Sequence, residues 1–430
     1  MLLKKYINEQ IKKEYYVAEH ESGLKIYLYQ MKGFTSYYGL FGTRYGSIDN
    51  EFTDENGKKV ILPEGIAHFL EHKLFESEDG DAFTKYAKTG AYSNAYTSFD
   101  RTCYLFSCSN LFYENLGILL NFVQSPYFTA KTVQKEQGII GQEIRMYDDQ
   151  PSWRVLFNML GAMFHNHPVK VDIAGTEESI SHITDKLLYT CYDRFYDPSN
   201  MFVILAGDFE NEKVLDFIER NLTKSGKSIN VLSDFPNEPS NVVSNNVSCR
   251  LDVSKPMFCL GFKEKMQTEN PTVFQTVSME ILMKMLVGSA SELYKRLLDN
   301  ELINEEFASE YFTGRSFSVP MFDGESKDPR QVLALLLETV EKMKSEGIDK
   351  VLFEAVKREM YGKMLRRFDG AESVCSMLCD SAVLGYDIFE HFKVLESITP
   401  EQVEKRLDVF SEQNAVLSVI DPLDNAVGLH

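Results

Sequence analysis

Between Gly65 and Phe75 the chain reads GIAHFLEHKLF, with His68 and His72 four residues apart and Glu71 beside the second. On a helix, side chains at i and i+4 project to one side about one turn apart. Neutral imidazole is a common zinc ligand, so two such rings can share one ion if a third donor arrives from another element. Glu71 lies on the same side as His68. It is poorly placed to ligate beside two histidines and well placed to take a proton from a water that the metal activates. The alternative is an amphipathic helix whose His and Glu only solvate its outer face, and H-x-x-E-H alone is too short to separate the two. A second set lies in KEQGIIGQEIRMYDD, where Glu136 and Glu143 are seven apart. At about 3.6 residues per turn they share one face, two turns apart. Ile139, Ile140 and Ile144 predict that this helix is partly buried, and a carboxylate there needs a partner, for which a cation serves well. Two surface glutamates remain the plainer reading.

The elements that would carry these residues follow from local pattern. LKIYLYQ (24–30) and YYGLFGTRYGS (37–47) predict strands. ILPEGIAHFLEHKLFES (61–77) predicts a helix with Ile66, Phe69, Leu70, Leu74 and Phe75 at helical spacing. DAFTKYAKTG (81–90) predicts a helix stopped by Gly90, followed by a strand pair over 91–109. Helices are predicted over 115–126, 132–149 and 183–196, and NMFVILAGD (200–208) predicts a buried strand.

The second half repeats this order. MFCLGFKEKM (257–266) echoes GLFGTRYGS, and TVSMEILMKML (276–286) takes the slot of GIAHFLEHKLF. FASEYFTGRSFSVPM (307–321) echoes the strand pair, and the 349–367 helix takes the slot of the Glu136–Glu143 helix. Repetition in register predicts a duplication: two α+β domains, each a mostly antiparallel sheet covered by helices. The expected division is a domain over 1–220, a linker over 221–246 rich in Ser, Asn, Pro and Gly, and a second domain over 247–430. The polar set is confined to the first half, since apolar, Lys and Arg residues fill the corresponding slots of the second.

With 45 Lys and Arg against 64 Asp and Glu, the 430 residues carry a formal net charge of −19. That disfavours nucleic acid and anionic membrane as main partners. The cysteines (Cys103, Cys108, Cys191, Cys249, Cys259, Cys375 and Cys379) are odd in number and form no C-x-x-C. They predict reduced thiols, with Cys375 and Cys379 sharing one buried helix face. MLLKKYINEQIKKEYY lacks an apolar core of signal-peptide length, and no apolar run approaches a membrane span. The expected compartment is the cytoplasm.

H-x-x-E-H inverts the H-E-x-x-H of other zinc proteases and marks the inverzincins. HFLEH, Glu143 after 70 intervening residues and Glu136 seven earlier together resemble the pitrilysin/insulinase zinc peptidases. SNAYTSFDRTCYLFS (93–107), HPVKVDIAGTEESISHIT (167–184) and GSASELYKRL (288–297) extend the likeness over about residues 20–420. It is closest to the YmfH-like bacterial members of about this length. The resemblance implies an insulinase/mitochondrial-processing-peptidase-like fold and a zinc metallopeptidase with one Zn2+ per chain. His68, His72 and Glu143 would ligate, Glu71 would act as general base, and Glu136 would assist. Asn94, Ala95, Tyr96 and Thr97 would bind peptide as an added strand; an ordinary edge strand is the alternative.

One departure matters. Members of the family that act alone carry an Arg and a Tyr, seven apart, that grip substrate in the second domain. The aligned positions here are Leu297 and Asn304; Arg296 is one residue off, and Tyr311 and Arg315 lie later. The expectation is a heterodimer with a homologous subunit that supplies Arg and Tyr, closing as a clamshell around short or unfolded peptides. A self-sufficient homodimeric peptidase and a noncatalytic peptide-binding or maturation subunit are the alternatives.

Overall fold

The run Met201–Gly207 is buried at every position. An unbroken apolar strand of this kind belongs in the middle of a sheet covered on both faces. In the computed structural model, which describes residues 1–54, 57–78, 80–223, 226, 235–265 and 270–423, it lies there. The first sheet contains β1 (Leu2–Asn8), β2 (Lys13–Glu19), β3 (Lys25–Gln30), β4 (Tyr37–Thr43), β5 (Tyr92–Thr97), β6 (Thr102–Cys108) and β7 (Met201–Gly207), in the order β1-β2-β3-β7-β4-β6-β5. The second contains β8 (Asn246–Leu251), β9 (Met257–Phe262), β10 (Ala308–Gly314), β11 (Phe317–Glu325) and β12 (Ala415–Pro422), in the order β8-β12-β9-β11-β10.

The two orders superimpose strand for strand once the β1–β2 hairpin is set aside. β3 runs parallel to β7 and β8 parallel to β12, and every other pair in both sheets is antiparallel. The chain is therefore α+β with mostly antiparallel sheets, and the repeat seen in sequence is a repeat of topology. The β1–β2 hairpin has no counterpart among the expected elements, because its Lys-rich segments show neither strand nor helix period.

The helices that carry the candidate site or cover the sheets include α1 (Ile66–Leu74), α2 (Ala130–Asp148), α3 (Pro151–Met163), α4 (Val273–Val287) and α5 (Ala371–Leu384). α4 occupies the slot of α1 in the second half. The chain divides into two compact units, and they cross the 1–220/247–430 division. One comprises Met1–Ile144, Asp172–Asp234 and Met364–Phe389; the other comprises Arg145–Val171, Phe235–Lys363 and Glu390–His430. The physical reason is that each sheet has a face covered by a helix from the other half of the sequence. α5 lies on β4 and β7, burying Val374, Cys375, Leu378 and Cys379. α3 lies on β8, β9 and β12, burying Val155, Met159 and Leu160.

Of the expected linker, residues 224–225 and 227–234 lie outside the described residues. Its later part is clamped. The Glu238 carboxylate accepts the backbone N–H groups of His165, Asn166 and His167 at 2.8, 2.7 and 2.9 Å. It also pairs with Lys263 Nζ at 2.6 Å, both side chains being fully buried.

Candidate metal centre

α1 begins at Gly65, whose φ of 84° is left-handed. A Cβ there would lie 2.3 Å from the Ala174 carbonyl oxygen, so only glycine fits. Gly175, with φ 73°, is held as closely, since its Cβ would lie 2.6 Å from the Glu64 carbonyl oxygen. The Ser179 hydroxyl donates to that same carbonyl at 2.9 Å. The HPVKVDIAGTEESISHIT segment thus braces the start of the helix that carries both histidines.

Every residue of α1 is buried except His72, which is half-buried. Ile66, Ala67, Phe69, Leu70 and Leu74 are in the core, and His68 and Glu71 are each only 8% exposed. The amphipathic alternative therefore fails, because its polar side points into protein. On α2 the buried stripe is Val133, Glu136, Ile140 and Ile144, with Glu143 half-buried. Ile139, expected to help bury this helix, is 44% exposed, because the stripe runs through Ile140 instead.

The two helices bring five side chains together. His68 Nε2 stands 3.7 Å from Glu143 Oε1, and His72 Nε2 stands 3.5 Å from Glu143 Oε2. One donor atom from each of His68, His72 and Glu143 falls within 4.8 Å of the others. Two ligands on a tetrahedral ion at ~2 Å are about 3.3 Å apart, so the set fits a zinc-sized ion with one position open. Among the described residues it is the one His/Cys/Asp/Glu group with this property. His72 Nδ1–H donates to Glu136 Oε1 at 3.0 Å, which turns Nε2 toward the cluster.

The charges suit a cation. Burial, aided by the neighbouring His72, pushes the His68 pKa down to about 3, leaving a neutral imidazole. Its Nδ1 is buried with no hydrogen-bond partner among the described residues. Burial also opposes charge on His72, but the bond to Glu136 and the charges of Glu71 and Glu143 outweigh it and raise its pKa. Burial likewise opposes charge on Glu136, yet the His72 bond holds it below the usual carboxylate range. The negative field that holds a proton on His72 is the field that favours a divalent ion between the same groups. Burial raises the Glu71 pKa, opposed by a hydrogen bond from Thr97.

β5 is the free edge of its sheet, and α1 lies against it. Of the four residues expected to bind peptide, Thr97 alone among the described contacts reaches the cluster, donating to Glu71 Oε2 at 2.6 Å. The Asn94 side chain accepts the Ala95 N–H at 2.9 Å, and the Tyr96 hydroxyl sits 3.7 Å from Cys379 Sγ on α5. Sequence reasoning missed Lys73, fully buried and paired with Glu76, and the Tyr104–Tyr196 hydroxyl pair at 2.9 Å. No local signal announces either, because each depends on a fold that surrounds it.

The insulinase (peptidase family M16) profile matches residues 63–177, and the peptidase M16 inactive-domain profile matches 182–360. YmfH of Bacillus subtilis (strain 168), named an uncharacterized zinc protease, is 38% identical over 405 residues, covering 92% of this chain and 94% of that one. The chain belongs to the insulinase family. Among solved structures, a protein described as an M16-like peptidase from Alicyclobacillus acidocaldarius matches with TM-score 0.89 and 32% identity over 95% of this chain and 98% of that one. The periplasmic protease PqqL of Escherichia coli shares the fold with TM-score 0.73 and 18% identity, over 96% of this chain but 48% of that one.

In the second half of this insulinase-family chain, Leu297 is buried in the core and Asn304 donates to Glu325 at 3.2 Å. Arg296 pairs with Glu338 at 3.0 Å on the surface. The Tyr311 hydroxyl accepts from Arg406 at 3.2 Å. All seven cysteines are free thiols, and Cys375 and Cys379 are both buried on α5. Among the described residues no helix is long and apolar enough to cross a membrane.

Proposed function

We propose that this chain is a cytoplasmic zinc metalloendopeptidase that cleaves short or unfolded peptides as the metal-carrying subunit of a heterodimer. The observation that carries the reading is the convergence of His68, His72 and Glu143 beside a buried carboxylate, Glu71, that stands outside the ligand set. His68, His72 and Glu143 would hold the zinc, which would supply a Lewis acid able to acidify water and polarise a peptide carbonyl. Glu71 receives the water proton and returns it to the departing amine. The Thr97 hydroxyl donates to its Oε2 at 2.6 Å, and the Thr97 backbone N–H also bonds this carboxylate. Glu136 fixes the His72 ring through Nδ1. The open edge of β5 over Asn94–Thr97 offers main-chain pairing to an extended peptide, which confers broad sequence tolerance.

The heterodimer rests on the second half. Leu297 is enclosed in the core and Asn304 is engaged with Glu325, so neither offers the substrate-gripping Arg or Tyr of the family. A homologous subunit that carries Arg and Tyr but no H-x-x-E-H completes a closed chamber. The half-length match to PqqL supports a pair, since there the same fold covers only half of one chain.

Metal analysis together with cleavage of a quenched peptide library tests both parts. One zinc per chain is expected, with cleavage appearing only when the homologous partner is added. Full activity of the purified chain alone overturns the heterodimer. Glu71→Gln is expected to retain zinc and lose cleavage by about 10²–10⁴-fold; normal cleavage by that variant removes Glu71 as the base.

A further inference from the structure

Glu71 is a buried carboxylate, and such a group requires a hydrogen-bond partner to remain charged. The partner supplied is Thr97, the last residue of β5. Its hydroxyl donates to Oε2 at 2.6 Å, the short distance of a charge-assisted O–H···O⁻ bond. Thr97 lies directly opposite Thr102 across the β5–β6 ladder. Their hydroxyl oxygens are 3.3 Å apart, and Thr102, fully buried, donates to the Tyr45 carbonyl at 2.9 Å.

Each hydroxyl carries one proton and can also accept. That of Thr102 is committed to Tyr45, so Thr102 turns a lone pair toward Thr97. The single proton of Thr97 goes to the Glu71 carboxylate, the nearer acceptor at 2.6 Å against 3.3 Å for Thr102. A proton taken up on the other oxygen leaves Oε2 accepting from Thr97 as before. In either state Oε2 keeps a partner and the carboxyl plane stays fixed.

We propose that Thr97 is a positioning residue: its hydroxyl pins Oε2 of Glu71 and so fixes the plane in which the base presents its carboxylate to the reacting water. The proposal rests on the reading of Glu71 as the general base and gives Thr97 a role different from substrate contact. Asn94, Ala95 and Tyr96 precede it on the same strand, so the strand that would pair with peptide also aims the base.

The test uses full-length chain in the assembly that cleaves peptide, comparing Thr97→Val, which keeps the shape and removes the hydroxyl, with Thr97→Ser, which keeps the hydroxyl. Thr97→Val is expected to retain zinc and KM while kcat falls about 10²-fold, the loss typical of a misplaced catalytic group. Thr97→Ser is expected to recover most of that loss. Unchanged kcat in Thr97→Val overturns the proposal. So does a raised KM at constant kcat, which marks a substrate contact, or a Thr97→Ser as slow as Thr97→Val, which marks packing of the methyl group. If Thr97→Val fails to fold, Thr97→Cys carries the same comparison with a weaker donor: lowered kcat at constant KM supports the role, and unchanged kcat overturns it. Wild-type protein that binds zinc yet cleaves nothing, even with its partner, defeats the peptidase reading and this proposal with it; the variant outcomes defeat this proposal alone.

Discussion

At the scale of the residue, the cluster is organised so that each side chain meets a different partner. Glu143 faces both histidines through separate oxygens, at 3.7 and 3.5 Å, while Glu136 bonds the far nitrogen of His72 at 3.0 Å. Seven residues of spacing on one helix thus place one glutamate against both histidines and the other against the far nitrogen of His72. Removing an orienting carboxylate typically costs 10- to 100-fold in metal affinity. Glu136→Ala is expected to weaken zinc binding by about that factor in competition with a chromogenic chelator. Wild-type affinity in that variant would show that His72 is held by other means. Glu143→Ala is expected to lose the metal outright by the same assay.

At the scale of the element, the position of α1 depends on two left-handed glycines, Gly65 and Gly175, that let two backbones approach. Gly65→Ala forces a Cβ against a carbonyl oxygen and demands a left-handed alanine, a cost of roughly 2 kcal/mol or more. It is expected to lower Tm and zinc content together; a variant with reduced Tm but full zinc content would separate the brace from the metal centre. The Glu238–Lys263 pair is the second element-scale device. Burial opposes charge on Glu238, but the bonds from Lys263 and three backbone N–H groups hold its pKa down to about 2. A carboxyl depressed in the folded state stabilises above its ordinary pKa and loses that contribution as pH falls. The window therefore runs from about 4.5 down to about 2. Glu238→Gln should flatten the acid side of a Tm-against-pH curve. Glu238→Ala should cost about 3–5 kcal/mol at neutral pH, because it strands a buried ammonium. Parallel acid arms in Glu238→Gln and wild type would refute the assignment.

At the scale of the whole molecule, neither half of the sequence contains a complete unit. Residues 1–220 lack α5, which buries Val374, Cys375, Leu378 and Cys379 against β4 and β7. Residues 247–430 lack α3, which buries Met159 and Leu160 against β9 and β12. Deleting either helix exposes a large apolar sheet face. Expressed alone, residues 1–220 are expected to show dispersed secondary structure without a cooperative thermal transition, and co-expression with 247–430 is expected to restore one. A sharp transition from 1–220 alone would show that α5 is dispensable.

Legibility in the sequence differs between these scales. H-x-x-E-H, the pair seven apart on the next helix and the register of the repeat were all readable, because each is a pattern along one element or between two copies of it. Spacing on a helix fixes which side chains share a face, and strand period fixes which strands are central, whatever surrounds them. The solvation alternative for α1 fell only with the fold, because the sequence around His68 and Glu71 is the same whether that face meets water or protein. The Thr97–Glu71 bond, the burial of Lys73, the clamp on Glu238 and the exchange of α3 and α5 join residues far apart in sequence. Tertiary structure alone decides such pairings, since they arise from which apolar faces must be covered and which buried polar groups must then find a partner.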